Sequence, residues 1–153
     1  MTLRPGLVVP AAVATLMLAT GCGGHASEKD GQHELGGAAD TKTCVADAHA
    51  VTSYPAGFPK GFVFPDKTVV FHAEDRGPDG VVVTGVTSLP FKQVLASLNG
   101  PTQRAGYKVT RGETEEHDAE ANWSGHGYRG RWAIRASGSC PGETVVQVLS
   151  TKL

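Results

Sequence analysis

Residues 118–137, DAEANWSGHGYRGRWAIRAS, constrain the fold more than any other part of the chain. Two runs of alternating apolar and polar residues flank a glycine-rich centre, which is typical of a β-hairpin with a two-residue turn at His126-Gly127. With Gly125 opposite Tyr128, one face is apolar and the other polar. A shift of one residue would mix the two faces, so the sequence predicts this register. The polar face then pairs Asp118 with Arg135, Asn122 with Arg131, and Ser124 with Arg129.

Four further segments have the composition of strands. They are rich in Val, Thr and aromatic residues and are bounded by turn-forming residues. Residues 74–80 are dense in such turn formers, so the first two segments are predicted to form a second hairpin. The four segments are Thr68–Ala73, Val81–Ser88, Tyr107–Arg111 and Thr144–Thr151.

One helix is predicted between the second and third of these segments. Ser88 is a candidate N-cap, Pro90 suits the first turn, and Gly100-Pro101 ends the pattern. The sequence therefore predicts an α+β fold, with an antiparallel sheet of about six strands and one helix on one face, in the order β-β-α-β-β-β-β. The helical spacing i, i+3, i+4 and i+7 is carried by Phe91, Val94, Leu95 and Leu98.

Aromatic residues alternate with prolines over residues 54–66, YPAGFPKGFVFPD. Proline is excluded from a helix interior and keeps its predecessor extended. We predict an extended lead-in that packs on the core through Phe58, Phe62 and Phe64; a proline-aromatic binding groove is the alternative. Trp123 and Trp132 lie on the apolar face of the hairpin, so core packing is predicted for both in preference to a platform for a sugar.

The first 21 residues have the character of an export signal. Arg4 precedes an almost wholly apolar run of thirteen residues, Leu7–Ala19, which is shorter than the about 20 residues of a membrane-spanning helix. Leu18-Ala19-Thr20-Gly21-Cys22 resembles a lipobox, with Ala19 where leucine is usual. The resemblance implies cleavage before Cys22, lipid on that cysteine, and a position at the outer face of the cell membrane. An ordinary signal peptide that leaves a free thiol at Cys22 is the alternative.

The resemblance to small lipoproteins of high-GC Gram-positive bacteria extends to the aromatic lead-in, the Trp-rich hairpin and Cys140-Pro141-Gly142. It implies a signal peptide over 1–21, a lipidated cysteine and flexible tether over 22–43, and a globular α+β domain over 44–153. Because an exported protein lies in an oxidising compartment, Cys44 and Cys140 are predicted to form a disulfide. Two buried free thiols are the alternative.

The charge of the chain after residue 21 excludes some partners. Without Arg4 there remain 13 Lys and Arg against 15 Asp and Glu, a balance of about −2. No basic excess favours nucleic acid, and no polybasic run adds to membrane attraction. The predicted partners are the membrane, through lipid on Cys22, and an envelope protein or an anionic ligand.

Arg129, Arg131 and Arg135 share the polar face of the hairpin and are candidates, with His126 at the turn, for binding an anionic ligand. The alternative is a solvated charge ladder in which Asp118 and Glu120 neutralise two of the three arginines and leave Arg129. Residues 125–130 match G-x-G-x-x-G, but a strand pattern follows them where a phosphate site needs a helix.

No catalytic motif, cofactor motif or metal-ligand spacing is present. The acidic run around His117 matches no Ca²⁺ loop and predicts a charged turn, so we expect no metal site. Its carboxylates are Glu113, Glu115, Glu116, Asp118 and Glu120. The sequence favours a surface-tethered binding or accessory module; an envelope enzyme with a site assembled from distant residues is the alternative.

Overall fold

The computed structural model describes residues 42–153, with the side chain of Arg111 excepted. All its strands form one antiparallel sheet in the order β1-β2-β6-β5-β4-β3. The predicted α+β class and antiparallel sheet are confirmed. The elements are β1 Thr68–Asp75, β2 Val81–Thr87, α1 Phe91–Asn99, α2 Pro101–Arg104, β3 Lys108–Thr114, β4 Asp118–Gly125, β5 Tyr128–Ala136 and β6 Thr144–Lys152.

The β4–β5 hairpin has the predicted register over all eight pairs, from Asp118 opposite Arg135 to Gly125 opposite Tyr128. His126 and Gly127 have φ angles of 52° and 80°. Positive φ at both central residues is the requirement of the tight turn that matches the twist of a hairpin. The alternation of the sequence and the turn geometry therefore agree on one register.

The helix and the lead-in cover the same face of the sheet. Phe91, Val94 and Leu98 of α1 are buried in one core cluster with the apolar face of β4–β6. The ring of Phe62 lies 5.2 Å from that of Trp123 and 5.6 Å from that of Tyr107. The predicted packing of the lead-in is confirmed, with Phe58 and Phe62 buried and Phe64 partly buried against the same core.

Two element boundaries differ from the sequence pattern. Ser88 does not cap α1, because the helix follows Pro90, whose carbonyl accepts from the amides of Gln93 and Val94. Tyr107 does not belong to β3, because its amide donates to Thr102 and closes the turn after α2. The strand instead continues through Glu113 to Thr114, which pairs with Ala119.

Cys44 and Cys140 form the predicted disulfide, with Cα atoms 5.7 Å apart and a sequence separation of 96. The bond attaches the start of the domain to the β5–β6 connection. The amide of Val45 donates to the carboxylate of Glu143 at 2.8 Å, so a second contact supports the same junction.

Helices within residues 42–153 are too short or too polar to cross a membrane. The predictions for the signal peptide, for Cys22 and for the greater part of the tether concern residues outside the described range.

Candidate functional site

Three arginines project from the polar face of the hairpin. Arg131 forms an ion pair with Glu120, and Arg135 lies 3.5 Å from the carboxylate of Asp118. Within residues 42–153, Arg129 has no ion-pair partner. The predicted charge ladder is therefore formed by Arg131 and Arg135, and the guanidinium of Arg129 is left without a carboxylate among the described residues.

A second cation lies near Arg129. Ser124 is opposite Arg129 on one side and opposite Lys108 on the other, so it lies between two cationic residues across three adjacent strands. Lys152, the last residue of β6, is opposite Tyr128 at the same end of the sheet, but on the other face from Arg129. We call this end of the sheet the hairpin end; its residues are Lys108, Ser124, His126, Arg129 and Lys152.

His126 fixes the hairpin turn to the connection between α2 and β3. Its Nε2 lies 2.8 Å from the carbonyl oxygen of Ala105, and its ring packs edge-on against Tyr107 at 4.8 Å. Gly106 leaves room for the ring, since a Cβ there would lie 2.8 Å from Nε2. His126 was a candidate for ligand binding, and its Nε2 is instead used to hold the turn.

A cavity of about 270 Å³ lies between the helices and strand β3. One wall is formed by Asn99, the last residue of α1, and by Gln103 of α2. Its other wall is β3, which bulges between Thr110 and Gly112, and β-bulges are frequent beside functional sites. The lining residues are Asn99, Gln103, Val109, Thr110, Gly112, Thr114, Glu120, Ala121 and Trp132.

The lining of the cavity includes an unsatisfied buried donor. Trp132 is 1% exposed, and among the described residues its Nε1 has no hydrogen-bond partner. A buried donor left without a partner costs about 1–3 kcal/mol. Trp123 Nε1 is also unpartnered, but Trp123 does not line the cavity. Trp132 thus combines an unused indole N–H with a place in the cavity wall.

The cavity also offers amides and hydroxyls. Asn99 and Gln103 each carry a donor and an acceptor, and Thr110 and Thr114 each carry a hydroxyl. Glu120 is the one ionisable residue of the lining, and its carboxylate is paired with Arg131. The lining can therefore hydrogen-bond a polar molecule without a free charge of its own.

The sequence pattern identified the three arginines and His126, but it identified neither the lysines of the hairpin end nor the cavity. Asn99 and Gln103 are exposed polar residues of helices, and such residues form no motif. The only sequence signal near them is the Gly100-Pro101 break, which turns the chain between the two helices. The cavity depends on how α2 faces β3, and that is a tertiary property.

Cys44, Cys140 and Glu143 are a group of metal-ligand types whose ligand atoms lie within 4.8 Å of one another. Both sulfur atoms belong to the disulfide, so the group has a structural role and has no thiolate with which to bind a metal. Comparison with protein-family models, with curated proteins and with solved structures finds no significant match.

Proposed function

We propose that the chain is a lipoprotein, held at the outer face of the cell membrane by lipid on Cys22, whose domain binds a small uncharged polar group in the cavity between the helices and β3. The observation that carries the binding role is that Trp132, whose Nε1 is buried and unpartnered among the described residues, is one of the residues that line this cavity. With a small shift of the lining, an acceptor oxygen of a bound ligand would reach this donor, satisfy it and recover its desolvation cost.

The size and chemistry of the cavity indicate the kind of group. A volume of about 270 Å³ is just below the roughly 300–1,000 Å³ of sites for drug-sized ligands, which suits one sugar ring or one amide-bearing chain. The neutral amide and hydroxyl lining favours a ligand that both donates and accepts hydrogen bonds. We therefore assign the site to an uncharged polyol or amide group.

The positions of the histidines favour binding over catalysis. His72 lies 3.9 Å from Glu74, and His117 lies 3.6 Å from Glu116, all on exposed side chains. His126 is engaged with a carbonyl oxygen. None of these rings lines the cavity, so the cavity has no histidine for proton transfer. An envelope enzyme remains the alternative, and turnover of a substrate that is lost on changing one lining residue would establish it.

Trp132→Phe is expected to weaken ligand binding and retain the fold. Phenylalanine keeps an aromatic ring in the core and removes the N–H, so affinity for N-acetylglucosamine or acetamide should fall about tenfold, the value of one hydrogen bond. The measurement is the shift in unfolding temperature of the full chain with each probe. Trp123→Phe is the matched control, because it removes another buried, unpartnered N–H away from the cavity. Absence of binding by the native chain, or equal loss in both variants, would exclude the proposed site.

Cys22→Ala is expected to abolish lipid labelling. Two acyl chains on Cys22 would hold the chain stably on a membrane, whereas an unlipidated chain has no such anchor. Cells that express the chain are fed a clickable fatty acid, and the label on the purified protein is measured beside its distribution between membrane and medium. An unlabelled native chain, or one found wholly in the medium, would contradict the anchor.

A further inference from the structure

The two ends of the sheet differ in charge, and the chain enters the domain at the acidic end. The β3–β4 turn holds Glu115 and Glu116, both exposed, and Glu113 lies at the end of β3. The amide of Ala136 donates to the carbonyl of His117 at 2.8 Å, so this turn adjoins the β5–β6 connection. That connection carries Cys140, and Cys140 is bonded to Cys44. The tether therefore reaches the domain beside the acidic turn.

Positive charge gathers at the opposite, hairpin end. Lys108, Arg129 and Lys152 are all exposed and, within residues 42–153, none has an ion-pair partner. Burial, with a smaller contribution from Tyr128, raises the pKa of Tyr107, so its phenol adds no negative charge at neutral pH. The segments that form this end contain no Asp or Glu, namely residues 101–112, 121–136 and 144–153.

The acidic residues nearest to this end belong to the β1–β2 connection, because Val81 of β2 pairs with Ser150 of β6. They are engaged locally. Arg76 binds the carboxylate of Glu74 at 3.0 Å, and Asp75 accepts from the amide of Gly77 at 2.8 Å. The carboxylates of Glu74 and Asp75 therefore have partners other than the cations of the hairpin end.

We infer that the hairpin end docks an anionic polymer of the envelope on the side of the domain away from the membrane. Neighbouring strands are about 4.8 Å apart, so Lys108 and Arg129, two strands apart, contact different anionic groups of one extended chain. The Ser124 hydroxyl between them can donate to the same chain. The direction away from the membrane rests on the proposed lipid anchor, because the tether joins the domain at the other end.

A polymer suits this surface better than a lipid bilayer. Exposed cations each contribute little on their own, and many weak contacts along one polymer add up through effective concentration. A membrane with anionic lipids would repel the acidic end beside the tether. The hairpin end is thus free to face a polyphosphate or similar chain outside the membrane.

Lys108→Glu with Arg129→Glu is expected to weaken polymer binding at least tenfold. The full chain in nonionic detergent is titrated into fluorescently labelled long-chain polyphosphate, and anisotropy is measured at rising salt. Native binding should weaken as salt increases, because the contacts are ionic. Lys42→Glu with Lys92→Glu is the charge-matched control, since both lysines are exposed and distant from the hairpin end, and it should bind within twofold of native.

Several results would overturn the inference: no native binding, equal binding by the Lys108/Arg129 variant, or an equal loss in the control. Phosphatidylglycerol in the micelles and free inorganic phosphate are compared as competitors of polyphosphate. If phosphatidylglycerol displaces polyphosphate at a lower concentration of phosphate groups than free phosphate does, the surface is assigned to lipid instead. Trp132→Phe should bind polyphosphate as the native chain does, which separates this surface from the cavity. Fatty-acid labelling tests the anchor independently of both.

Discussion

Gly130→Ala is expected to destabilise the domain by about 3 kcal/mol or more, at the upper end of the range for overpacked cores. A Cβ at this position would overlap the carbonyl oxygen of Leu149 in β6 and would lie 2.7 Å from Cζ2 of Trp123. The first contact is with the backbone of an interior strand. The second is with a ring that is 2% exposed. Neither neighbour can move without opening the sheet or the core.

The measurement is urea or thermal unfolding of the full chain, in which the unfolding temperature should fall by about 10 °C or more. Gly138→Ala is the control, because a Cβ there meets nothing within 4 Å, and its effect should stay within about 0.5 kcal/mol. If Gly130→Ala is as stable as the native chain, the Trp123 ring does not cover β5 as described.

This substitution also bears on the G-x-G-x-x-G match, of which Gly130 is the last glycine. In a phosphate loop the glycines allow the backbone to approach a ligand. Here Gly127 occupies the left-handed position of the hairpin turn, and Gly130 gives the Trp123 ring room to lie against β5. The glycine spacing is explained by the requirements of one hairpin and needs no bound phosphate.

The hairpin could be predicted in detail because its information is local. The alternation from Asp118 to Arg135 allows one register, and a slip would bury charges. The same local logic anticipated that Glu120 would neutralise an arginine, although Glu120 is opposite Ala133 and reaches Arg131 diagonally. Diagonal neighbours on a sheet are within reach of long side chains.

The order of the strands could not be predicted in the same way. β6 lies between β2 and β5, and no local pattern indicates that the last strand pairs with a strand about sixty residues earlier. The cavity depends on the same long-range arrangement, because it forms only where α2 meets the bulged edge strand. For that reason the three arginines were predicted from the sequence, while the lysines of the hairpin end and the lining of the cavity were found only in the fold.

Replacing both Cys44 and Cys140 with serine is expected to lower the free energy of unfolding by on the order of 4 kcal/mol. The disulfide joins residues with a sequence separation of 96, and the loop that it closes contains five of the six strands, β1 to β5. In the loop-entropy treatment a closure of this length restricts the unfolded chain by about 4 to 5 kcal/mol. Both cysteines are changed together so that no single thiol is left to form bonds between molecules.

Urea unfolding of the full chain, with and without a dithiol reductant, measures this loss. The native chain should lose stability when reduced. The stability of the double variant should be the same with and without reductant, so the variant is the control for effects of the reductant itself. Because the uncrosslinked chain exposes more surface on unfolding, its dependence on urea should also be steeper.

Loss of the disulfide could have a local effect, on the start of the domain alone, or a global effect on the whole sheet. The contact between Val45 and Glu143 holds the same junction, so the two effects are measured separately. If the disulfide held only the start of the domain, its removal would free residues 42–50 to exchange their amide hydrogens, while the urea midpoint of the sheet stayed unchanged. That result would contradict the expected loss. A lower midpoint shared by the amides of β2, β5 and β6 would instead show that one bond, near the start of the described residues, stabilises the whole sheet.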